Sequence, residues 1–344
     1  MKFNNVRLHS FGYELPPSVV SSEEIEARLA PLYERLKLPP GRLEMMSGIA
    51  ERRFWNEHTR PSDGAVMAGR KAIAASGIDP AELECLFFTG VSRDMMEPAT
   101  ATFVHRQLGL PEKCLVYDIS NACLGFLNGM ITLGGMIELG LIKNGLIVSG
   151  ETAEELVEST IVGLLNDPTL TRKSIKNSFA SLTIGSGAVA LVMGDARHRD
   201  TGHRLINATY RANTSFNDLC QGGQVSASGT LMATDSEELL KRGVETAATT
   251  WRDFKTESGW GADSIARFFC HQVGSAHARL LFDTLGLDQS RNYETLARLG
   301  NVGSVSAPIT MALGIEEGLL KGGERAAVLG IGSGINCLML GIEW

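Results

Sequence analysis

Cys123, His271 and Asn301 are the side chains of this sequence whose types, taken together, could carry out nucleophilic catalysis. Cys123 lies in "VYDISNACLGFLNGM" (116–130), where a run of strand character, Val116 to Ile119, meets small and polar residues and then an apolar, helical stretch. A thiol at a helix start sees the positive end of the dipole, which lowers its pKa and favours the thiolate. His271 follows the apolar run "IARFFC", and Asn301 follows "ARLG" and opens a second helical stretch. An imidazole can take the thiol proton, and a carboxamide can donate a hydrogen bond to a developing oxyanion or enolate. Each has an ordinary reading too: a small buried hydrophobe, a strand-end histidine, a helix N-cap. Their common place after strands, where open α/β sheets bind ligands, favours the chemical reading.

The elements that must bring these residues together are written twice. "IGSGAVALVMG" (184–194) reappears as "IGSGINCLMLG" (331–341), with six of eleven positions identical, each a Gly turn before a buried strand. "CLGFLNGMITLGGMIELG" (123–140) lies over "NVGSVSAPITMALGIEEG" (301–318), which sets Cys123 opposite Asn301. "LFFTGVS" (86–92) echoes "RFFCHQVG" (267–274). Three echoes in one order indicate two related halves. Apolar strands ("LECLFFTG", "NGLIVSGE", "ERAAVLGIG") alternate with helical stretches ("PSDGAVMAGRKAIAASG", "SEELLKRGVETAATTWRDF"), which implies α/β layering. The expected organisation is an N-terminal half, 1–195, carrying the Cys and an insertion of about 151–178, and a C-terminal half, 205–344, carrying the His and Asn. The polar "DARHRDTGHR" joins them.

Composition narrows the function classes. A hydrophobic share of 44%, 21% charged residues and 344 positions suit a soluble globular chain of two domains or one large layered unit. The formal charge of −7 argues against nucleic-acid binding. No apolar run is long enough to suggest a membrane span, and "MKFNNVRLHSFGYELPP" lacks a signal-peptide core. Six scattered cysteines without metal-ligand spacing point to neither a zinc site nor a disulfide framework, so a reducing cytoplasm is expected.

On "NACLGF", "HQVGSAH" (271–277), "GNVGSVSAPI" (300–309), "GIGSGINCLML" and "SGIAERRFW" (47–55), the whole chain resembles the thiolase superfamily in its ketoacyl-ACP synthase III branch. Within that branch "VSRDMMEPATA" (91–101) is similar to the enzymes that start bacterial long-chain olefin biosynthesis. The resemblance implies a duplicated five-layer αβαβα fold and a Cys123-His271-Asn301 site, with the backbone N–H groups of Cys123 and Ser333 as oxyanion hole. It implies a homodimer in which Glu97 reaches across the interface as a base, although an acidic residue before Pro98 commonly just turns the chain. It also implies CoA thioesters as substrates, no cofactor or metal, and downstream pathway enzymes as possible partners. The implied reaction is a non-decarboxylative Claisen condensation of two long-chain acyl-CoA molecules through an acyl-Cys, giving a 2-alkyl-3-ketoacyl product. Two alternatives stand: a decarboxylating synthase joining acyl-CoA to malonyl-ACP, and a non-catalytic partner subunit. The twelve methionines, Met95 and Met96 among them, are candidates for lining acyl channels, or are adaptable core filler. One departure is visible. Where many synthase III proteins read His-Gln-Ala-Asn, His271-Gln272 is followed by Val273-Gly274.

Overall fold

The computed structural model describes residues 1–226 and 229–344. In chain order the first half runs β1 (Val6–Glu14), β2 (Ser18–Ser21), α1 (Ser22–Arg28), α2 (Ala30–Leu36), α3 (Arg42–Ser47), β3 (Glu51–Phe54) and α4 (Pro61–Ser76). It continues with β4 (Cys85–Phe88), α5 (Thr100–Leu108), β5 (Leu115–Asp118), α6 (Gly125–Glu138), β6 (Asn144–Glu151), α7 (Glu154–Asn166), α8 (Lys176–Phe179) and β7 (Gly187–Asp195). The second half has β8 (His203–Ala212), β9 (Cys220–Ser226), β10 (Gly229–Thr234), α9 (Ser236–Ser258), β11 (Arg267–Cys270) and α10 (Ser275–Leu285). It ends with β12 (Asn292–Tyr293), α11 (Leu296–Leu299), α12 (Ser306–Glu316), β13 (Arg325–Gly332) and β14 (Asn336–Glu343).

The large sheet has the order β12-β11-β13-β14-β8-β1-β7-β6-β4-β5. Cut between β8 and β1, it yields two five-stranded sets of identical pattern, with β5, β4, β6, β7 and β1 answering to β12, β11, β13, β14 and β8. The cut is physically thin, for β1 and β8 share only the pairs Arg7–Arg204 and Leu8–His203. The duplication read from the echoes is thus the architecture of the sheet. β6 and β7 are buried along their whole length, which only strands covered on both faces can be.

The helices supply the covers, and their residue types say which layer each occupies. α6 and α12 are apolar nearly all round, with Ser306 to Gly314 buried without a break, as a helix enclosed on all sides must be. They form the middle layer. Phe126, Leu127 and Met130 of α6 share one core with Ile309 and Met311 of α12, Val189 and Leu191 of β7, and Leu338 and Leu340 of β14. On one outer face α4 lays Ala65, Ala68 and Ala72 against Leu146, Val148 and Val192. On the other, α9 presents Val244, Ala247, Trp251 and Phe254 to Phe268, Leu329 and Met339. The result is the α-β-α-β-α layering. α9 stops at Gly259, whose φ of 73° is a left-handed cap that glycine adopts without a Cβ penalty.

The expected insertion differs at its start. β6 continues through Glu151, so the segment outside the repeat begins with α7. Val157, Ile161 and Leu164 of α7 pack with Ile25, Leu29, Leu32, Phe179 and Leu182 in a separate cluster that caps the first half.

Candidate active site

Cys123 sits on a tight corner between β5 and α6. Ala122 is held at φ 45°, a left-handed conformation that costs a residue with a Cβ roughly 1 kcal/mol or more and is tolerated where the surroundings over-determine it. The helix begins two residues after the thiol, with Leu124 as N-cap. Asn121 ties the corner down: its amide donates to Asn128 Oδ1 (2.8 Å) and its Oδ1 accepts from Asn336 Nδ2 (3.0 Å), which also reaches Ser333 O (3.2 Å). That relay joins the Cys123 corner to the turn between β13 and β14. The two come so close that a Cβ added to Gly332 would lie 3.7 Å from Cys123 Cβ and 3.0 Å from Leu124 Cγ. A side chain there would require Leu124 to shift by a few tenths of an ångström, and the Ser333 N–H beside it has no hydrogen-bond acceptor among the described residues.

His271 stands at the end of β11, the strand paired with β13, and its N–H donates to Leu329 O (2.9 Å). Both ring nitrogens are buried with no partner among the described residues. Gln272 is spent on structure, donating to Tyr293 O (3.0 Å) and accepting from Thr295 N–H (2.9 Å).

Asn301 approaches from the other half. Its backbone is clamped to the first half by Asn301 N–H to Thr183 O (3.0 Å) and Gly185 N–H to Asn301 O (2.9 Å). Its Oδ1 accepts from Gly303 N–H (3.1 Å), which leaves the NH₂ as the end free to donate. Asn301 precedes a 3₁₀ turn, Gly303–Val305, and α12 starts only at Ser306, so it does not open the helix directly. The two helix starts touch: Phe126 N–H donates to Ser304 Oγ (2.8 Å). Arg52, fully buried, backs this junction, with its Cβ 3.3 Å from the positions a Cβ would take on Gly185 and on Gly300.

The electrostatics overturn one expectation. Burial pushes the Cys123 thiol up to about 12, and the neighbouring Cys220 and Glu151 charges act the same way. Desolvation therefore outweighs the helix-end dipole, whose contribution is about 1 kcal/mol, and the resting sulfur is a thiol. Burial pushes His271 down to about 4, with His277 adding to the effect, so its imidazole is neutral and able to accept a proton. The resting groups are a thiol and a neutral imidazole.

Glu97 is exposed on the loop 91–99, as are Met95 and Met96. Met96 is 90% exposed, so neither methionine lines an interior channel of its own chain. Two surface concavities lie elsewhere, one of about 590 Å³ bounded by Leu240, Val244 and Leu280 and one of about 470 Å³ bounded by Asp263, Arg291 and Glu343. Neither contains a convergent set of reactive groups. Among the described residues no cluster of His, Cys, Asp and Glu could hold a metal ion.

Glu151 was missed as a site residue. It is 4% exposed, and its carboxylate accepts from Val91 N–H (2.8 Å), Ser92 N–H (2.9 Å) and Ser304 N–H (3.1 Å). The signal was present in "NGLIVSGE", an acidic residue closing an otherwise buried strand.

Comparison with known proteins follows the same lines. Residues 117–214 match the family model described as 3-oxoacyl-[acyl-carrier-protein (ACP)] synthase III, and residues 256–344 match that of its C-terminal part. The acyl-CoA:acyl-CoA alkyltransferase of Shewanella oneidensis is 43% identical over 351 residues, with 100% of both chains covered. The protein of the same name from Xanthomonas campestris pv. campestris is 36% identical over 344 residues, again covering 100% of both. The beta-ketoacyl-[acyl-carrier-protein] synthase III of Natranaerobius thermophilus is 25% identical over 352 residues, covering 99% of this chain and 100% of that protein. The crystal structure of cerulenin-bound Xanthomonas OleA superposes with a TM-score of 0.95 at 36% identity, over 100% of this chain and 98% of that one.

Proposed function

We infer the reaction from one premise: the chain belongs to the 3-oxoacyl-[acyl-carrier-protein] synthase III family, in the branch of the acyl-CoA:acyl-CoA alkyltransferases. It joins two acyl-CoA molecules by a Claisen condensation without decarboxylation. Cys123 Sγ attacks the thioester carbonyl of the first acyl-CoA while His271 takes the thiol proton. The oxyanion forms against the N–H groups of Cys123 and Ser333, the C–S bond to CoA breaks, and the imidazolium returns its proton to the leaving CoA thiolate. An acyl-Cys123 remains.

A second acyl-CoA then loses its Cα proton to the partner subunit's Glu97. The enolate oxygen takes hydrogen bonds from Asn301 and from His271. The Cα carbon attacks the acyl-Cys carbonyl, the Cys123 thiolate leaves, and a 2-alkyl-3-ketoacyl-CoA is formed. No cofactor beyond the CoA of the substrates is required. The homodimer is supported by the edge of the sheet, where β5 ends the strand order with Leu115 45% exposed, and by the exposed Val91, Met95 and Met96 on the loop that follows β4. An unpaired strand edge with apolar residues needs a cover. Six free thiols suit a reducing cytoplasm, and a product activated at C3 suits a following enzyme of olefin biosynthesis.

The observation that carries the reading is the buried His271 ring, unpartnered at both nitrogens, at the end of the strand next to the one whose turn packs on Cys123. The test is incubation with long-chain acyl-CoA alone. A 2-alkyl-3-ketoacyl product without any malonyl donor is expected. Condensation only when malonyl-ACP is added would assign a decarboxylating synthase, and an unmodified Cys123 would assign a non-catalytic subunit.

A further inference from the structure

Glu151 is placed where a carboxylate is expensive, and it makes three bonds there. It closes β6, with every residue of that strand buried, and its two oxygens accept from the backbones of two separate segments. Val91 and Ser92 begin the loop that carries Glu97, and Ser304 lies in the turn that follows Asn301. Ser304 in turn receives the Phe126 N–H at the start of the Cys123 helix (2.8 Å). Two further contacts hold the residue. The Glu151 main-chain carbonyl accepts from Trp55 Nε1 (2.9 Å), and Gly303, at φ 55°, is so close to the carboxylate that a Cβ would lie 2.9 Å from Glu151 Oε1. Ser92 Oγ and Thr152 close the loop end with paired bonds of 3.1 and 3.2 Å.

Three N–H donors on one carboxyl require acceptors at both oxygens. Burial raises the carboxyl's pKa, and the hydrogen bonds from Val91, Ser92 and Ser304 oppose that shift in part. The amide of glutamine cannot replace it, because in either orientation its NH₂ faces a backbone N–H and leaves at least one donor buried without an acceptor.

We propose that Glu151 is a positioning residue that sets the Glu97 loop against the Asn301 turn, and so prepares the carbon–carbon bond-forming step in the partner's site as well as in its own. This rests on the reading that Glu97 crosses the dimer interface, so the test separates the two ideas. Mixed dimers are built from two differently tagged chains, one carrying Cys123→Ala so that a single thiol is live. The chain without the thiol then lends its Glu97. With Glu151→Gln in the lending chain, condensation falls by about 10²-fold while acylation of the live Cys123 stays within about twofold, the loss expected of a misplaced catalytic group. Glu97→Gln in the lending chain is the control and removes condensation.

Unchanged condensation with Glu151→Gln in the lending chain, alongside loss with Glu97→Gln there, overturns the proposal. If Glu97→Gln acts only in the live chain, the crossing reading fails, and Glu151→Gln in the live chain decides: lost condensation with partial recovery in Glu151→Asp upholds positioning, and full condensation overturns it. Should Glu151→Gln fail to assemble, Glu151→Asp, which keeps the charge but withdraws it from the N–H donors, is read in the same arms.

Discussion

A sulfur pushed up to about 12 and an imidazole pushed down to about 4 leave both groups uncharged across the intervening range. Alkylation of Cys123 by iodoacetamide should therefore rise about tenfold per pH unit from pH 6 to 9 with no plateau, since only the thiolate reacts. A plateau near pH 7 would mean that the helix-end dipole wins after all. Acylation should be lost as pH falls through about 4, where His271 takes a proton and ceases to be an acceptor. The same group sets a sign for stability. Its folded pKa lies below its unfolded value, so the unfolded chain binds more protons and stability declines from about pH 6.5 toward 4. For the second half-reaction, Glu97→Gln should leave acylation intact and abolish condensation, and unchanged condensation would retire Glu97 as base. Cys123, His271 and Asn301 stand out in the sequence because each follows a strand or an "ARLG" stop in a duplicated chain. The thiol's high pKa is not legible there, because the sequence shows the helix start but not the desolvation that outweighs it. Glu151 is signalled only weakly: it ends the buried strand of "NGLIVSGE" but also reads locally as the start of an acidic helix.

At the scale of elements, the repeat does something its similarity does not announce. The "IGSG" turn of the first half packs on Asn301 of the second, through the Gly185–Asn301 hydrogen bond. Its copy in the second half packs on Cys123 of the first. Each half thus lends its turn to the other's helix start. The two turns have separate fates: Ser186 N–H is spent on Arg53 O (2.8 Å), whereas Ser333 N–H has no acceptor among the described residues. Sequence echoes identify which segments are equivalent, but contacts across the pseudo-dyad follow only from the fold. The helix starts are packed without slack. A Cβ on Gly125 would stand 2.3 Å from Thr89 O. Gly125→Ala should then cost about 1–3 kcal/mol in thermal or denaturant unfolding and slow acylation by moving α6. A variant with wild-type melting and acylation would show that the junction has room.

For the whole molecule, the exposed edge at β5 and the apolar loop before α5 are the surfaces that the proposed dimer must cover. Leu115→Arg should shift the protein to monomer in sedimentation velocity. It should keep acylation, whose groups lie in one chain, and lose condensation, whose base comes from the other. A monomer that still condenses would return the base to the same chain. Layering was legible from alternation and repeats; the exposed edge was not, because exposure along β5 depends on strand order.

The most direct measurement charges the protein with one equivalent of a long-chain acyl-CoA, records the intact mass, and chases with an acyl-CoA of different length in the absence of any malonyl thioester. The account predicts an acyl adduct on Cys123 that the chase discharges as a mixed 2-alkyl-3-ketoacyl product. An adduct that persists until malonyl-ACP is supplied would contradict it.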